Sequence, residues 1–235
     1  MVVADMARID PALSGLVSQA GGLLVRYSAL SSSCAPGVPN SSLPNNLGAG
    51  AADSDFLVFM KAGVTPIRPE WLDVMTACLE RPEIGVAGAR LLYPSRAIRH
   101  AGMVLGLDGG AGCPGRGSFS SDLMYYLNLP RDVSAVSGAC LGIRRELFAE
   151  LGGFDQSFPA YYSDVDLCLR VRERGLRIVV DPRIELTYED RGPGAGFADR
   201  RRLRERWGAV LAQGDPYYPE AFDRTVEDVR LNESG

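Results

Sequence analysis

The sequence is poor in several residue types on which whole classes of chemistry depend. It has one histidine, His100, in 235 residues, which excludes any mechanism or metal centre built on a pair of imidazoles. Its five cysteines, Cys34, Cys78, Cys113, Cys140 and Cys168, show no CxxC spacing. An odd, scattered set fits reduced thiols in a cytosolic protein, and no zinc site is visible. No apolar run approaches the length that crosses a bilayer, and the N-terminus lacks the basic start and long apolar segment of a secretory signal. Positive charge is also in deficit. A net charge of −4 argues against a generic nucleic-acid binder. Lysine is reduced to Lys61 alone among many arginines. These absences predict a soluble, cytoplasmic chain.

What is present reads as one sizeable α/β domain. An apolar fraction of 46% is ordinary for a globular protein of this length. Val2–Ala4 and Leu23–Tyr27 are expected as strands, with a helix over Pro11–Ala20 between them. Ser31–Asn46, rich in Ser, Pro and Asn, reads as a loop, followed by a small-residue helix through Gly48–Ala52. FLVFM (56–60) is a buried strand. PEWLDVMTACL (69–79) repeats Trp71, Leu72, Met75, Cys78 and Leu79 at helical spacing. Ile84–Ala87, Arg90–Tyr93, Ala135–Ile143 and Ile178–Val180 read as further strands, and Asp108–Ser121 as a Gly-rich mobile stretch. A helix over Arg144–Leu151 precedes one that opens near Ser163 and stops at Gly175. The alternation of strand and helix predicts an α/β sheet with helices packed on its faces over 1–192, and a helix with an extended arm over 193–235.

Two places carry chemistry. In YYSDVD (161–166) a helix starts, and Asp164 and Asp166 fall in its first turn. Acids there accept orphan backbone N–H groups and complement the helix dipole. Two carboxylates after a Pro-aromatic loop also suit a general base at the mouth of a sugar site, and the pattern alone leaves both readings open. At the end of FLVFM stands Lys61. A cation at the lip of an α/β sheet fits a bound anion, although a lysine at a strand end is more often a solvated charge. The arginines at 200, 201, 202, 204 and 206 fit a solvated helix face, or contact with phosphates or anionic lipid.

Read in order, FLVFMKAGVTP, PEWLDVM, RHAGMVLGLDGGAG, VSAVSGACLGIRRELFAELGGFD, SDVDLCLRVRERG and DPYYPEAF resemble a family 2 glycosyltransferase of the GT-A type, in the branch that builds bacterial surface polysaccharides. The resemblance runs from about Asn45 to the end. It implies a GT-A-like, Rossmann-like mixed sheet with helices on both faces, and an inverting transfer of sugar from a nucleotide-sugar donor to a glycan or lipid-linked acceptor. Asp164 would be the catalytic base. Asp5, Lys61, Gly63, Gly138, Ala139 and Cys140 would lie at the donor, and His100, Tyr162 and Asp166 at the acceptor. The resemblance allows peripheral contact with the inner membrane face and a homodimer.

Three positions depart from the family. Its first strand would precede Val2, so the sheet should show an exposed or borrowed edge near Val2–Ala4 and Leu23–Tyr27. Its metal-holding aspartate pair falls on Lys61 and Gly63, so no divalent metal is expected. Its late histidine falls near Tyr188, with Glu189 and Asp190 close by. A catalytically silent GT-A-like domain that binds a partner or a glycan is the alternative these departures favour.

Overall fold

The computed structural model describes residues 2–6, 19, 23–27, 41–119, 126–158, 160–189, 195–223, 227 and 229, with 2–6 and 23–27 described by their backbone. Strands β1 (Val2–Met6) and β2 (Leu23–Tyr27) pair in parallel, and helix α1 (Ser42–Gly50) packs on both. There follow β3 (Phe56–Met60), β4 (Thr65–Pro66), α2 (Trp71–Leu79), β5 (Ile84–Leu92) and β6 (Ile98–His100). A small antiparallel pair, β7 (Val104–Leu105) and β8 (Ala111–Gly112), flanks a 3-10 turn. The remainder is β9 (Arg131–Asp132), β10 (Cys140–Arg144), α3 (Arg145–Glu150), α4 (Ser163–Glu173), β11 (Arg177–Thr187) and α5 (Phe197–Gln213).

Among the described residues, seven strands form the main sheet in the order β3-β10-β5-β11-β4, with β6 also on β5 and β9 also on β11. β10 runs antiparallel to both β3 and β5, whereas β11 runs parallel to β5. Successive side chains on a strand point to opposite faces, and the core divides accordingly. Leu57, Phe59, Val86, Leu141, Ile143, Ile178 and Val180 face α3, α4 and α5, where Phe59, Phe148 and Phe154 stack edge to face or tilted at 4.9–5.3 Å. Ala87, Ala89, Leu91, Cys140 and Val179 face α2, whose Met75 and Leu79 are fully buried. The helices on both faces of the sheet are therefore as the periodicities predict, and its mixed strand directions are as the family resemblance implies.

Several boundaries differ from the sequence reading, each for a local reason. Ile84–Leu92 is a single strand because Gly88 and Ala89 sit within the ladder to β10 and β11. β11 continues past Asp181-Pro182-Arg183 through a register shift, a bulge in which the Asp181 carboxylate accepts the Arg183 backbone N–H at 2.9 Å. The strand expected from Ala135 begins only at Cys140, since the preceding residues are held as a loop by bonds described below. α1 starts earlier than expected, at Ser42, with Pro44 tolerated in its first turn. The stretch after Asp108 is not loose up to residue 115: Ala111 and Cys113 are buried. The helix expected over Pro11–Ala20 lies outside the described residues apart from Gln19, which is helical. So do residues 31–40 of the expected loop. At the expected edge, β1 and β2 pair with each other and not with the main sheet, which ends on β3.

Candidate functional site

The end of β3 meets the start of β10. Met60 pairs with Cys140, and one residue on, the Lys61 N–H donates to the Ala139 carbonyl at 3.0 Å. The chain then turns. Val64 N–H bonds the Lys61 carbonyl at 3.2 Å, and Gly63 takes the left-handed region at φ 86° with open space where a Cβ would stand. Lys61, half-buried, thus lies directly beside the Gly138–Ala139–Cys140 segment.

That segment is tied to the base candidate. The Gly138 N–H donates to Asp164 Oδ2 at 2.7 Å, and Asp164 Oδ1 accepts the Val165 N–H at 2.9 Å. A Cβ on Gly138 would lie 3.3 Å from the Asp164 Cβ and 3.4 Å from Oδ2, so a side chain there would crowd the carboxylate. The capping reading of the acid pair is partly realised. Asp164 takes one first-turn N–H of α4, as a capping acid does, while its other oxygen reaches across to a different loop. The residue stays half-buried, and a carboxylate has lone pairs beyond the two used here. Tyr162, at the helix N-cap, makes no side-chain cap bond and sits at φ 71°, a costly conformation for a non-glycine residue.

Other expected site residues are placed inside the protein. Asp166 has no exposed surface: it binds Arg170 Nε at 2.8 Å, Arg206 Nε at 2.9 Å and Trp207 Nε1 at 2.9 Å. Its expected contact with the acceptor is corrected, because every face of the carboxylate is turned to protein donors. Cys140 is buried and its thiol is pushed up to about 12 by that burial, so only its backbone can line a donor site. Ala139 is equally buried. Tyr162 is buried too, and its hydroxyl, held by Arg200 and the Ala111 backbone, is raised in pKa mainly by desolvation. The Asp5 backbone pairs with Arg26, apart from this cluster's sheet. Tyr188 and Glu189 are described, with the Tyr188 ring buried under the Arg99 guanidinium at 5.3 Å; Asp190 lies outside the described residues.

His100 is buried beneath the Gly138 loop instead of lining an acceptor channel. Its Nε2 accepts the N–H groups of Gly102 at 3.2 Å and Ser137 at 3.3 Å, and Nδ1 lies 3.2 Å from Cys113 Sγ. Two donors at Nε2 require that nitrogen to be unprotonated, so the ring proton sits on Nδ1. Burial first, then the charges of Arg99, Arg116 and Arg131, hold its pKa down at about 3 against an ordinary 6.5. The folded value is depressed, so between pH 6.5 and 3 the unfolded chain binds the extra proton and stability falls as pH falls. Wild-type protein is expected to lose about 2 kcal/mol through this group between pH 7.5 and 5. Denaturant unfolding of His100→Gln across that range should show a shallower pH slope by this amount; an unchanged slope would remove His100 as the cause.

The sequence reading missed the clamp supplied by α5. Asp199 Oδ1 accepts the N–H groups of Ala160 and Tyr161 at 3.0 and 2.9 Å, just ahead of the helix that carries Asp164, while Leu203 and Trp207 enter the core beside it. The four-residue spacing of Leu203 and Trp207 was the available signal. Among the described residues, no group of three or more His, Cys, Asp or Glu side chains is arranged to hold a metal ion. The residues at the end of β3 do not fit one, since Lys61 and Gly63 contribute no carboxylate. Among the described residues, no helix is long and apolar enough to cross a membrane.

Comparison with known proteins agrees with this architecture. A family model described as glycosyl transferase family group 2 matches residues 117–225. The O-antigen biosynthesis protein RfbC of Myxococcus xanthus is 33% identical over 198 residues, covering 80% of this chain. The chain spans 15% of that relative's length. Among solved structures, GalNAc-T7 with UDP, GalNAc and Mn2+ superposes with a TM-score of 0.65 at 13% identity, over 90% of this chain and 43% of the other. The mannosyltransferase PcManGT from Pyrobaculum calidifontis, in complex with GDP-Man and Mn2+, superposes with a TM-score of 0.56 at 17% identity, over 90% of this chain and 54% of its own. At those identities the two structures speak to the fold. With the ordered motifs, the sheet and the relative in agreement, the chain belongs to the family 2 glycosyltransferases and carries their GT-A-type fold.

Proposed function

We propose that this chain is the transferase domain of an inverting glycosyltransferase, moving a sugar from a nucleotide-sugar donor to a glycan or lipid-linked acceptor of a surface polysaccharide at the cytoplasmic face of the membrane. The observation that carries the reading is the half-buried Asp164, tied through Gly138 to the segment that meets Lys61. An acceptor hydroxyl gives its proton to Asp164 as its oxygen bonds the anomeric carbon. The bond from that carbon to the donor's phosphate oxygen breaks, and a nucleoside diphosphate leaves with the electron pair. The backbone of Gly138–Cys140 lines the donor sugar.

The departing diphosphate needs positive charge, and the described residues offer no metal-binding set there. Lys61 meets this need as a point charge on the phosphates, and Gly63 leaves room for close approach. Nucleoside diphosphate binding, followed by calorimetry, is therefore expected to survive EDTA and to weaken roughly 10- to 100-fold in Lys61→Ala, as for loss of a hydrogen bond to a charged group. Binding that requires Mn2+, or that ignores the loss of Lys61, would overturn this arrangement.

The lack of carboxylates at the end of β3 also favours a second reading, a silent GT-A-like domain that binds a partner or a glycan. A panel of labelled nucleotide sugars incubated with polysaccharide precursors separates the two. Product carrying the label supports transfer; bound donor with no product under any condition supports the silent domain.

A further inference from the structure

Asp199 makes more bonds than its own helix requires. It is buried in the first turn of α5, where Oδ2 accepts the Gly196 N–H at 3.0 Å and so serves that helix's own N-terminus. Oδ1 turns to a different segment and accepts two successive backbone N–H groups, Ala160 at 3.0 Å and Tyr161 at 2.9 Å. A charged oxygen shared by two neighbouring N–H groups fixes the orientation of both peptides. The next residue is Tyr162, at φ 71° and ψ 2°, whose carbonyl accepts the Asp166 N–H at 2.8 Å and so begins α4. A left-handed tyrosine persists only where its surroundings over-determine it. Here it is held at both ends. Asp199 fixes the peptides before it, while its buried ring carries the hydroxyl to Arg200 and the Ala111 backbone. A Cβ on Gly110 would stand 2.6 Å from that hydroxyl, so a side chain there would displace the ring.

We infer that Asp199 is a positioning residue for sugar transfer: by holding Tyr162 in its left-handed conformation it sets where α4 begins, and with it the place of the Asp164 carboxylate two residues on. The inference rests on the reading of Asp164 as the base. The first turn of α4 directs the Asp164 side chain, whose Oδ2 meets the Gly138 N–H at 2.7 Å. Relaxation of Tyr162 to a negative φ would turn that first turn and pull the carboxylate off Gly138. Leu203 and Trp207 of α5 are in the core, which gives the clamp a fixed footing. Small errors matter at such a site, since a misplacement of about 1 Å at a catalytic group can cost about 10²-fold in rate.

The test compares Asp199→Ala, which removes both oxygens, with Asp199→Asn, whose one oxygen can keep the Ala160 and Tyr161 bonds while its NH2 group faces Gly196. Transfer kinetics and amide hydrogen exchange by NMR are measured on protein shown to be folded. In Asp199→Ala, kcat is expected to fall roughly 10- to 100-fold with the donor KM near that of wild type. Exchange at Gly138 and Val165 should speed at least about tenfold while Leu141, within the sheet, keeps its rate. Asp199→Asn should restore both readouts to within a few fold, although it loses the Gly196 bond. Asp155→Ala loosens the same helix by removing the partner of Arg202 and Arg206, leaves the clamp in place, and should keep the wild-type kcat. A lower melting temperature in Asp199→Ala with kcat and both exchange rates unchanged would overturn the inference and leave Asp199 as a structural tie. So would an equal loss of kcat in Asp155→Ala. Faster exchange at Gly138 and Val165 in a protein whose transfer survives Asp164→Asn would uphold the clamp on the carboxylate while refuting Asp164 as the base, so the two failures are distinct.

Discussion

Asp164→Asn is expected to leave a folded protein that binds donor and transfers sugar roughly 10²- to 10⁴-fold more slowly, the contribution of a positioned base. The substitution keeps the size of the side chain but removes its capacity to take a proton at neutral pH. Its structural cost is limited by what the carboxylate touches. Oδ1 accepts the Val165 N–H and Oδ2 the Gly138 N–H; an amide has one oxygen, so one of these bonds survives and the other N–H faces an NH2 group. The cost of one unmatched N–H is about 1–3 kcal/mol, less if water reaches it. The melting temperature should therefore fall modestly, while kcat falls by orders of magnitude and the donor dissociation constant stays near that of wild type. If the carboxylate serves only the helix and the loop, the modest stability loss would appear alone. Transfer within a few fold of wild type, measured on protein shown to be folded, would return Asp164 to structure.

The parts of this fold that were legible in sequence are those fixed by local pattern. β3 alternates apolar side chains between two helical layers, and α2 presents Met75 and Leu79 at helical spacing, so both announce themselves. The end of β3 is legible as well, because the apolar run gives way there to the charged Lys61. Illegible features depend on partners far along the chain. Residues 135–139 are as apolar and small as a strand, yet they form a loop because His100, Asp164 and Lys61 take the N–H groups of Ser137 and Gly138 and the carbonyl of Ala139. Asp181-Pro182 reads as a strand end, but the Asp181 side chain supports a bulge and the ladder continues. Asp164 and Asp166 are equivalent in the local motif; only donors from α5 and the far end of α4 tell them apart. His100 reads as a loop residue near a channel, and no local signal shows that backbone N–H groups from two segments converge on its Nε2.

Asp166→Ala is expected to cost stability without touching the chemistry, the reverse of Asp164→Asn. The side chain of Asp166 is fully buried and joins three parts of the protein. Arg170 extends from the carboxylate to the carbonyls of Leu151 at 2.7 Å and Gly153 at 2.8 Å, holding the turn after α3. Arg206 and Trp207 bring in α5, and Arg206 also pairs with Asp155 at 2.7 Å. Alanine would leave the Arg170 side chain, only 11% exposed, without its carboxylate partner and with its Nε–H unmatched, and the buried indole N–H without its acceptor. Breaking a buried ion pair in this way costs about 3–5 kcal/mol. For a chain of this size that corresponds to a melting temperature lower by roughly 6–20 °C. Asp166→Asn keeps one acceptor oxygen and the volume, so it should fall between alanine and wild type. Below its transition, each folded molecule of either variant should transfer sugar with a kcat and an acceptor KM near wild type, because the Gly138–Asp164 bond draws on different atoms. A rise in acceptor KM with an unchanged melting temperature would instead restore Asp166 to the acceptor site, and a melting temperature within about 2 °C of wild type for alanine would show that the network carries little of the fold's stability.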